Sequence, residues 1–317
     1  MKNNFEWHVS TYSILDTRIL YLVSQNPQTF NMSSDNYAGR LSDYRNKGIC
    51  GLPEKLDTER TFHIKMKRFI SLVQNASHIV VITGAGVSTA AGIPDFRGPN
   101  GIWTKEEEQK NTGKKRKRND KTMLSKVDNQ NTETPFITSF ESAKPTFAHR
   151  AITRLSQDDV DIVKYVITQN VDGLHMRSGI QRSKHCFLHG CIFTEKCERC
   201  AKEYFRDFDI GGVSFQITGR KCDCGGDLRD TVLDWEDDLP EEDWEMAQDQ
   251  CERSDLVLVL GSSLRIEPVG SLPTLAKQFV IVNKQVTPYD DRASLIIRAN
   301  VDKVFEVLME NLNMSIP

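Results

Sequence analysis

Two pairs of cysteines stand close in the chain, Cys197-x-x-Cys200 and Cys222-x-Cys224. Soft thiolates in short-spaced pairs suit a tetrahedral zinc ion. A full set of four leaves no coordination position for water, so the predicted site is structural. The C-x-C spacing departs from the commoner C-x-x-C, and Cys186 and Cys191, which lie beside His189, stay open as alternative ligands. A second chemistry lies upstream. The apolar β-branched run Ile79–Ile82 runs into Thr83-Gly84-Ala85-Gly86, and Ser88 to Ala91 reads as the first turns of a helix. A buried strand, a glycine turn and a helix N-terminus aim backbone N–H groups and a helix dipole at one spot. That is an anion site, and a dinucleotide pyrophosphate is its usual occupant. Alone the signal is weak, because G-A-G-x-S is not G-x-G-x-x-G.

The next stretch, Gly92 to Gly98, is too rich in Gly and Pro to continue a helix. It carries Asp95, Phe96 and Arg97 beside the glycine turn, where a loop can fold over a bound cofactor. Val163–Gln169 reads as a second buried strand, with Asn170 and Asp172 just past its C-terminal end. Ligands bind at that end of strands in open α/β sheets. Asp255–Gly261 and Gln278–Asn283 are two more strands, ending in Gly261-Ser262-Ser263 and Asn283-Lys284-Gln285. Three helices must hold these strands. Asp57–Asn75 places Phe62, Met66, Phe69, Ile70 and Val73 at helical spacing, Pro145-Thr146 starts another, and Val301–Leu312 closes the chain. The pattern predicts an α/β fold: a Rossmann-like doubly wound parallel sheet with a small zinc-binding module inserted.

Composition agrees. A chain of 317 residues at 38% hydrophobic suits one large domain or a domain with a small module. No apolar run approaches the ~20 residues that span a bilayer, so no membrane partner is expected. A net charge of −3 gives no global signal for nucleic acid. Eight cysteines in a chain of this length point to metal in a reducing compartment rather than a secreted disulfide framework.

Ile79 to Trp103 carries GAG-x-S-x-x-A-GIPDFR, which resembles the sirtuins, NAD-dependent protein deacylases. The resemblance runs from about Asn36 to the C-terminus. It is densest with the class IV, sirtuin-six type, in YAGRLSDYRNKGICGLPE, LRDTVLDWED and the closing IP. The resemblance implies NAD and one structural zinc on Cys197, Cys200, Cys222 and Cys224. It also implies that His189 of the L-H-G segment is the general base. In the implied reaction NAD loses nicotinamide, the acyl-lysine carbonyl oxygen attacks C1′ of the ribose, and neutral imidazole helps deprotonate the ribose hydroxyls. The products would be free lysine, nicotinamide and O-acyl-ADP-ribose.

Other roles are implied residue by residue. Gly84, Ala85, Gly86 and Thr89 would line the phosphate and ribose site. Phe96 would cover the nicotinamide side and Arg97 would orient the phosphate or ribose. Asn170 and Asp172, the further catalytic residues, would hold the nicotinamide pocket with Ile93 and Asp95. Gln169 would hold the ribose hydroxyls near His189. Gly261, Ser262, Ser263, Asn283, Gln285 and Val301 would surround the adenosine half. Trp103 matches a tryptophan beside the cofactor in class IV.

The expected plan is an N-terminal extension over 1–35 and a catalytic domain over 36–317. The NAD-binding part spans about 55–190 and 231–317, and the zinc module about 191–230. Met1 to Asn31 has no match in the family, and Met32 is a candidate start of translation. Lys105 to Thr134 is nearly free of apolar residues, carries Lys114 to Arg118 (KKRKR), and reads as a disordered basic insertion. The basic run suggests nuclear import; whether it touches DNA is open. Acyl-lysine proteins, histone tails above all, are the expected substrates, with chromatin association and a nuclear location. They would dock by strand addition, with the acidic run Asp234 to Asp243 facing basic tails. Three other readings remain: a protein mono-ADP-ribosyltransferase, a non-enzymatic chromatin-bound NAD sensor, and a nicotinamide dehydrogenase. The last would need G-x-G-x-x-G and gives IPDFRG no role.

Overall fold

A computed structural model describes residues 37–44, 47–116 and 138–316. The expected extension over 1–35 and most of the basic insertion lie outside these residues. The chain opens with a single helical turn, α1 (Tyr37–Arg40), and an irregular arm to Pro53. Helix α2 (Glu59–Asn75) begins at Thr58, whose hydroxyl accepts the Thr61 N–H. Its buried residues Phe62, Met66, Phe69 and Val73 fall on one face, as their spacing predicts. Strand β1 (Ile79–Thr83) and helix α3 (Ile102–Arg116) follow, then α4 (Phe147–Ser156) and β2 (Val163–Thr168). Thr146 and His149 close a reciprocal capping box at the start of α4. The short α5 (Leu174–Arg177) and β3 (His185–Phe187) lead into four strands of a second sheet: β4 (Thr194–Cys197), β5 (Glu203–Phe205), β6 (Ile217–Lys221) and β7 (Asp227–Asp230). The chain ends with α6 (Glu241–Arg253), β8 (Leu256–Leu260), β9 (Phe279–Val282), β10 (Leu295–Ile297) and α7 (Val301–Asn311).

The larger sheet has the order β10-β9-β8-β1-β2-β3, with every pairing parallel. Numbered within that sheet, this is the 3-2-1-4-5-6 order of a dinucleotide-binding fold. All five residues of β1 and of β8 are buried. The alternation of a strand explains why both its faces are apolar. Ile79 and Val81 pack on one side with Phe69, Ile152 and Phe305. Val80 and Ile82 pack on the other with Leu272 and Ala247. The second sheet is antiparallel, in the order β5-β4-β7-β6. Among the described residues no helix is long and apolar enough to cross a membrane.

Two expectations are corrected. Ser88–Ala91 does not begin an α-helix: two three-residue 3-10 turns, Ala85–Val87 and Thr89–Ala91, take its place. Gly92 ends the second at φ +85°, a left-handed stop, and Ile93 precedes a proline, which disfavours helical backbone. Turns this short carry no macrodipole, so any phosphate here meets turn backbone rather than a helix end. The insertion, expected to be disordered from Lys105, is helical as far as Arg116. Its base is anchored by Ile102 and Trp103 N–H groups on the Asp95 and Phe96 carbonyls. The Lys-Glu-Glu-Glu-Gln-Lys run then propagates, because those residues are good helix formers. Low apolar content denied this segment a core, not a helix. Lys114, Lys115 and Arg116 end the helix, while Lys117 and Arg118 lie outside the described residues.

Candidate functional site

The strand order reverses between β1 and β8, and their C-terminal ends meet there. Gly84 N–H donates to the Leu260 carbonyl at 3.0 Å and Gly86 N–H to the Gly261 carbonyl at 2.8 Å. A methyl group on Gly84 would sit 2.8 Å from Ser262 Cα, and one on Gly261 2.6 Å from the Gly86 carbonyl carbon. Glycine is therefore required by close backbone approach at this crossing.

A cleft opens above the crossing as three adjoining chambers. The first, of about 220 Å³, is lined by Gly84, Ala85, Gly86, Asp95, Phe96, Arg97 and Trp103 from the first half of the chain. Gln169, Asn170 and His189 face them, with Gly261, Ser262, Ser263, Asn283 and Gln285 from the last strands. The second, of about 460 Å³, holds Thr89 and Val301 and shares Gly86, Gly261 and Asn283 with the first. The third is small, and Asp172 and Ile93 line it with Ala85, Phe96 and Asn170. Two chambers joined at a glycine crossing suit an elongated ligand of dinucleotide type. Asp95 departs from the expected grouping with Ile93. It sits at the junction of the first two chambers, where Oδ1 accepts the Gly98 N–H at 2.9 Å.

His189 lies half-buried in the first chamber. Its Nδ1 is 3.1 Å from the Gln169 carbonyl oxygen. A carbonyl only accepts, so Nδ1 carries the proton and Nε2 keeps a lone pair. Burial pulls the imidazole pKa down to about 4; the Gln169 carbonyl opposes this and Arg97 reinforces it. A neutral ring with a free basic nitrogen is the state a general base needs near pH 7. Ser262 Oγ donates to Gln169 Oε1 at 2.6 Å, which leaves the amide NH2 of Gln169 to face elsewhere.

Asn170 Nδ2 donates to the Gly84 carbonyl at 3.1 Å and lies 3.2 Å from Ser88 Oγ. Ser88 Oγ donates to Asp172 Oδ2 at 2.6 Å, and Leu174 N–H to Asp172 Oδ1 at 3.0 Å. Burial raises the Asp172 pKa against these donors. Ser88 was expected only as a helix residue. Its hydroxyl instead ties the expected Asn170 and Asp172 together, which no local pattern signals. Arg97 is also locked: its guanidinium stacks 4.5 Å from the Trp103 ring, and Nε donates to the Lys47 carbonyl at 2.8 Å. Burial brings its pKa down to about 10, so it stays a cation at neutral pH. The Gln285 amide donates to the carbonyls of Leu52 and Arg97 at 2.5 and 3.3 Å, fastening the N-terminal arm to the cleft.

Sequence reasoning missed the arm itself as a wall. Tyr37 and Leu41 line the first chamber, as do Leu233 and Trp235. Arg40 forms an ion pair with Asp209, and Ser42 Oγ donates to Asp234 Oδ2 at 2.5 Å. Trp235 stacks on Tyr44 with centroids 4.6 Å apart.

The four expected zinc ligands converge. Cys197, Cys200, Cys222 and Cys224 bring their sulfurs within 4.8 Å of one another. Neighbouring sulfurs stand 3.5 to 3.6 Å apart. That is far longer than the ~2.05 Å of a disulfide. Tetrahedral zinc with bonds of ~2.3 Å sets sulfurs about 3.8 Å apart, so the set fits a structural zinc site. Gly226 makes room: a methyl group there would lie 2.7 Å from Cys197 Sγ. Cys186 and Cys191, the alternatives, are buried outside this group.

The Sir2 family profile matches residues 84–268. The NAD-dependent protein deacetylase SRT1 of Arabidopsis thaliana is 42% identical over 288 residues, 89% of this chain and 56% of that protein. The chain thus spans just over half the length of the plant relatives it matches. The NAD-dependent protein deacetylase Sirt6 of Drosophila melanogaster is 40% identical over 299 residues, 90% of this chain and 86% of its own length. A solved Sir2 structure with a p53 peptide and NAD+ superposes with a TM-score of 0.55 at 30% identity, covering 79% of this chain and all of that one. Another, bound to a propionylated peptide, gives 0.54 at 30% identity with the same coverage.

Proposed function

The chain belongs to the Sir2 family, and from that premise we propose that it is an NAD-dependent protein-lysine deacylase. The observation that carries the reading is His189: neutral, with Nδ1 anchored and Nε2 bare, in a cleft built on the glycine crossing. NAD, when bound, supplies an electrophilic ribose carbon as nicotinamide leaves. The glycine turn and Thr89 would hold its phosphates and ribose, and Asn283 and Val301 its adenosine half. Asn170 and Asp172, tied by Ser88, would hold the nicotinamide end, with Ile93 beside them. His189 Nε2 would take the proton from a ribose hydroxyl, and Gln169 would orient that hydroxyl. Phe96 and Trp103, with ring centroids 4.6 Å apart, would exclude water from the reacting carbon. The bound zinc would hold the second sheet together and take no part in the chemistry.

Substrates would be acyl-lysine proteins, entering as an extended strand between Leu233–Trp235 and Ile266–Pro268, which line the chamber. Histone tails fit the acidic run only in part. Asp237 is engaged by Ser214, Asp243 by Arg182 and Glu242 by Lys196, so its exposed charge falls on Glu236, Asp238 and Glu241. The KKRKR run supports a nuclear location, and an alanine variant of it that stays nuclear would remove that support.

The test is a mass-spectrometric assay with NAD and histone peptides carrying acetyl or long-chain acyl groups. O-acyl-ADP-ribose should form with the native chain and fall about 10²- to 10⁴-fold in His189→Tyr. ADP-ribosylated protein alone would favour the transferase. Bound NAD without either product would favour a sensor.

A further inference from the structure

Three histidines lie beneath the cleft, outside the residues that line it. His149, His175 and His185 are at most 1% exposed, with ring centroids 4.6 Å (149 to 175) and 5.2 Å (175 to 185) apart. Each ring has one nitrogen anchored and one buried nitrogen with no protein partner: His149 Nε2, His175 Nδ1 and His185 Nε2.

The anchors assign the protons. The Val166 carbonyl can only accept, so His185 Nδ1, 3.0 Å away, carries its proton and Nε2 is bare. The Thr146 N–H can only donate and meets His149 Nδ1 at 3.3 Å, so Nδ1 accepts, the Thr146 hydroxyl 2.8 Å away turns its proton to Nδ1 rather than to the Val87 carbonyl at 3.2 Å, and the ring is protonated on Nε2. The Thr83 hydroxyl gives its one proton to Thr168 Oγ1 at 2.8 Å. It must then accept from His175 Nε2 at 2.9 Å, which leaves Nδ1 bare. The cluster therefore presents one donor and two acceptors. A water molecule between the rings would accept the one and donate to the two, and buried water takes about three such partners. A metal ion does not suit. Among the described residues only the four cysteines bring their ligand atoms within 4.8 Å of one another, and His149 Nε2 holds a proton.

The hydroxyl pair continues upward. Thr168 Oγ1 also accepts the Asn170 N–H at 3.1 Å. Each link is buried, so a hydroxyl that loses its partner finds no solvent to replace it. We propose that His149, His175 and His185 hold an internal water, and that His175, acting through Thr83 and Thr168, is a positioning residue for Asn170. The positioning half rests on Asn170 serving the cofactor pocket as read above; the water half does not.

Two measurements test it. Thr83→Val removes the hydroxyl at constant shape, and Thr83→Ser keeps it. Thr83→Val should lower kcat/KM for NAD about 10- to 100-fold, with Thr83→Ser restoring it to within about twofold. Circular dichroism and Tm would report whether both variants fold. Equal kcat/KM in a folded Thr83→Val and the native chain would overturn the relay. Nitrogen-15 NMR of the native chain reads the rings directly and needs no variant to fold. It should find His149 and His175 protonated on Nε2, His185 on Nδ1, and a cross-peak from the His149 ring N–H to a long-lived water. Other tautomers, or no water contact, would overturn the histidine site. A native chain that consumes no NAD would instead break the functional reading and leave the NMR test standing.

Discussion

The two sheets are stabilised in different ways. In the six-stranded sheet every residue of β1, β8 and β9 is buried, and helices cover both faces. In the four-stranded sheet β6 has no buried residue, its own apolar cluster is Cys197, Cys222 and Leu228 with Tyr204 beside them, and only Phe205 of β5 reaches the cluster around Phe193. The larger sheet is held by apolar burial. The smaller has too little apolar area for that and relies on the cysteine site and on charge. Glu195, fully buried, takes Arg206 and Arg220, while Arg182 joins Glu203 of β5 to Asp243 of α6. The candidate site falls along the same line, since His189, two residues past β3, and the glycine crossing sit at strand ends of the larger sheet.

The largest effect should come from the metal. Structural zinc contributes on the order of 10 kcal/mol in small peptides, more than this module's core can replace. Cys197→Ala should be insoluble or inactive, and chelation should expose residues 194–230 to proteolysis before the large sheet. A soluble, fully active, zinc-free variant would break the contrast. A smaller effect separates the two sheets directly. Ile82→Ala, near the end of β1 and fully buried, should cost ~2–5 kcal/mol in urea denaturation. Ile217→Ala on β6, where the side chain is 54% exposed, should change stability by less than about 0.5 kcal/mol. Similar losses at both sites would mean that the second sheet has a core after all.

The smallest effect concerns pH. An ordinary imidazole near 6.5 would be about ten-to-one protonated at pH 5.5 and would have lost most of its base form. His189, held at about 4 by burial, keeps its neutral form there, and the form is lost only as pH falls through that value. The kcat/KM profile of the free enzyme should therefore change less than about twofold from His189 between pH 8 and 5.5. Half-loss near pH 6.5 would show that the ring is better solvated than its place in the cleft implies.

Much of this was legible in the chain because the signals were local. Continuous apolar runs marked β1, β8 and β9, and a nearly continuous one marked β2, since a strand covered on both faces has no polar side. Cysteine spacing marked the zinc set, and the turns after the strands marked the glycine crossing. Helix starts and ends were less reliable where tertiary contacts compete. Gly92 and Pro94 cut the expected helix after Ser88 into 3-10 turns, and contacts from Asp95 and Phe96 seeded α3 in a segment expected to be disordered. Ser88 and Tyr37 could not be seen as parts of the cleft. Each reaches it across a large sequence separation, and a hydroxyl or ring in a turn looks the same whether or not it meets Asp172 or Phe96.

Residue types alone set the α/β class, the parallel sheet and the four clustered thiols, and pointed to His189 as the candidate base. Each follows from residue type and spacing within a few turns of chain, or from a motif matched to the family. Packing settled which atoms are free to act. His189 has a basic Nε2 because the Gln169 carbonyl happens to face Nδ1. Asn170 is held because Ser88 and Thr168 meet it, with Thr83 of the neighbouring strand bonded to Thr168 in turn. Proton placement depends on which donors and acceptors a fold brings together, and that is a property of packing rather than of any segment.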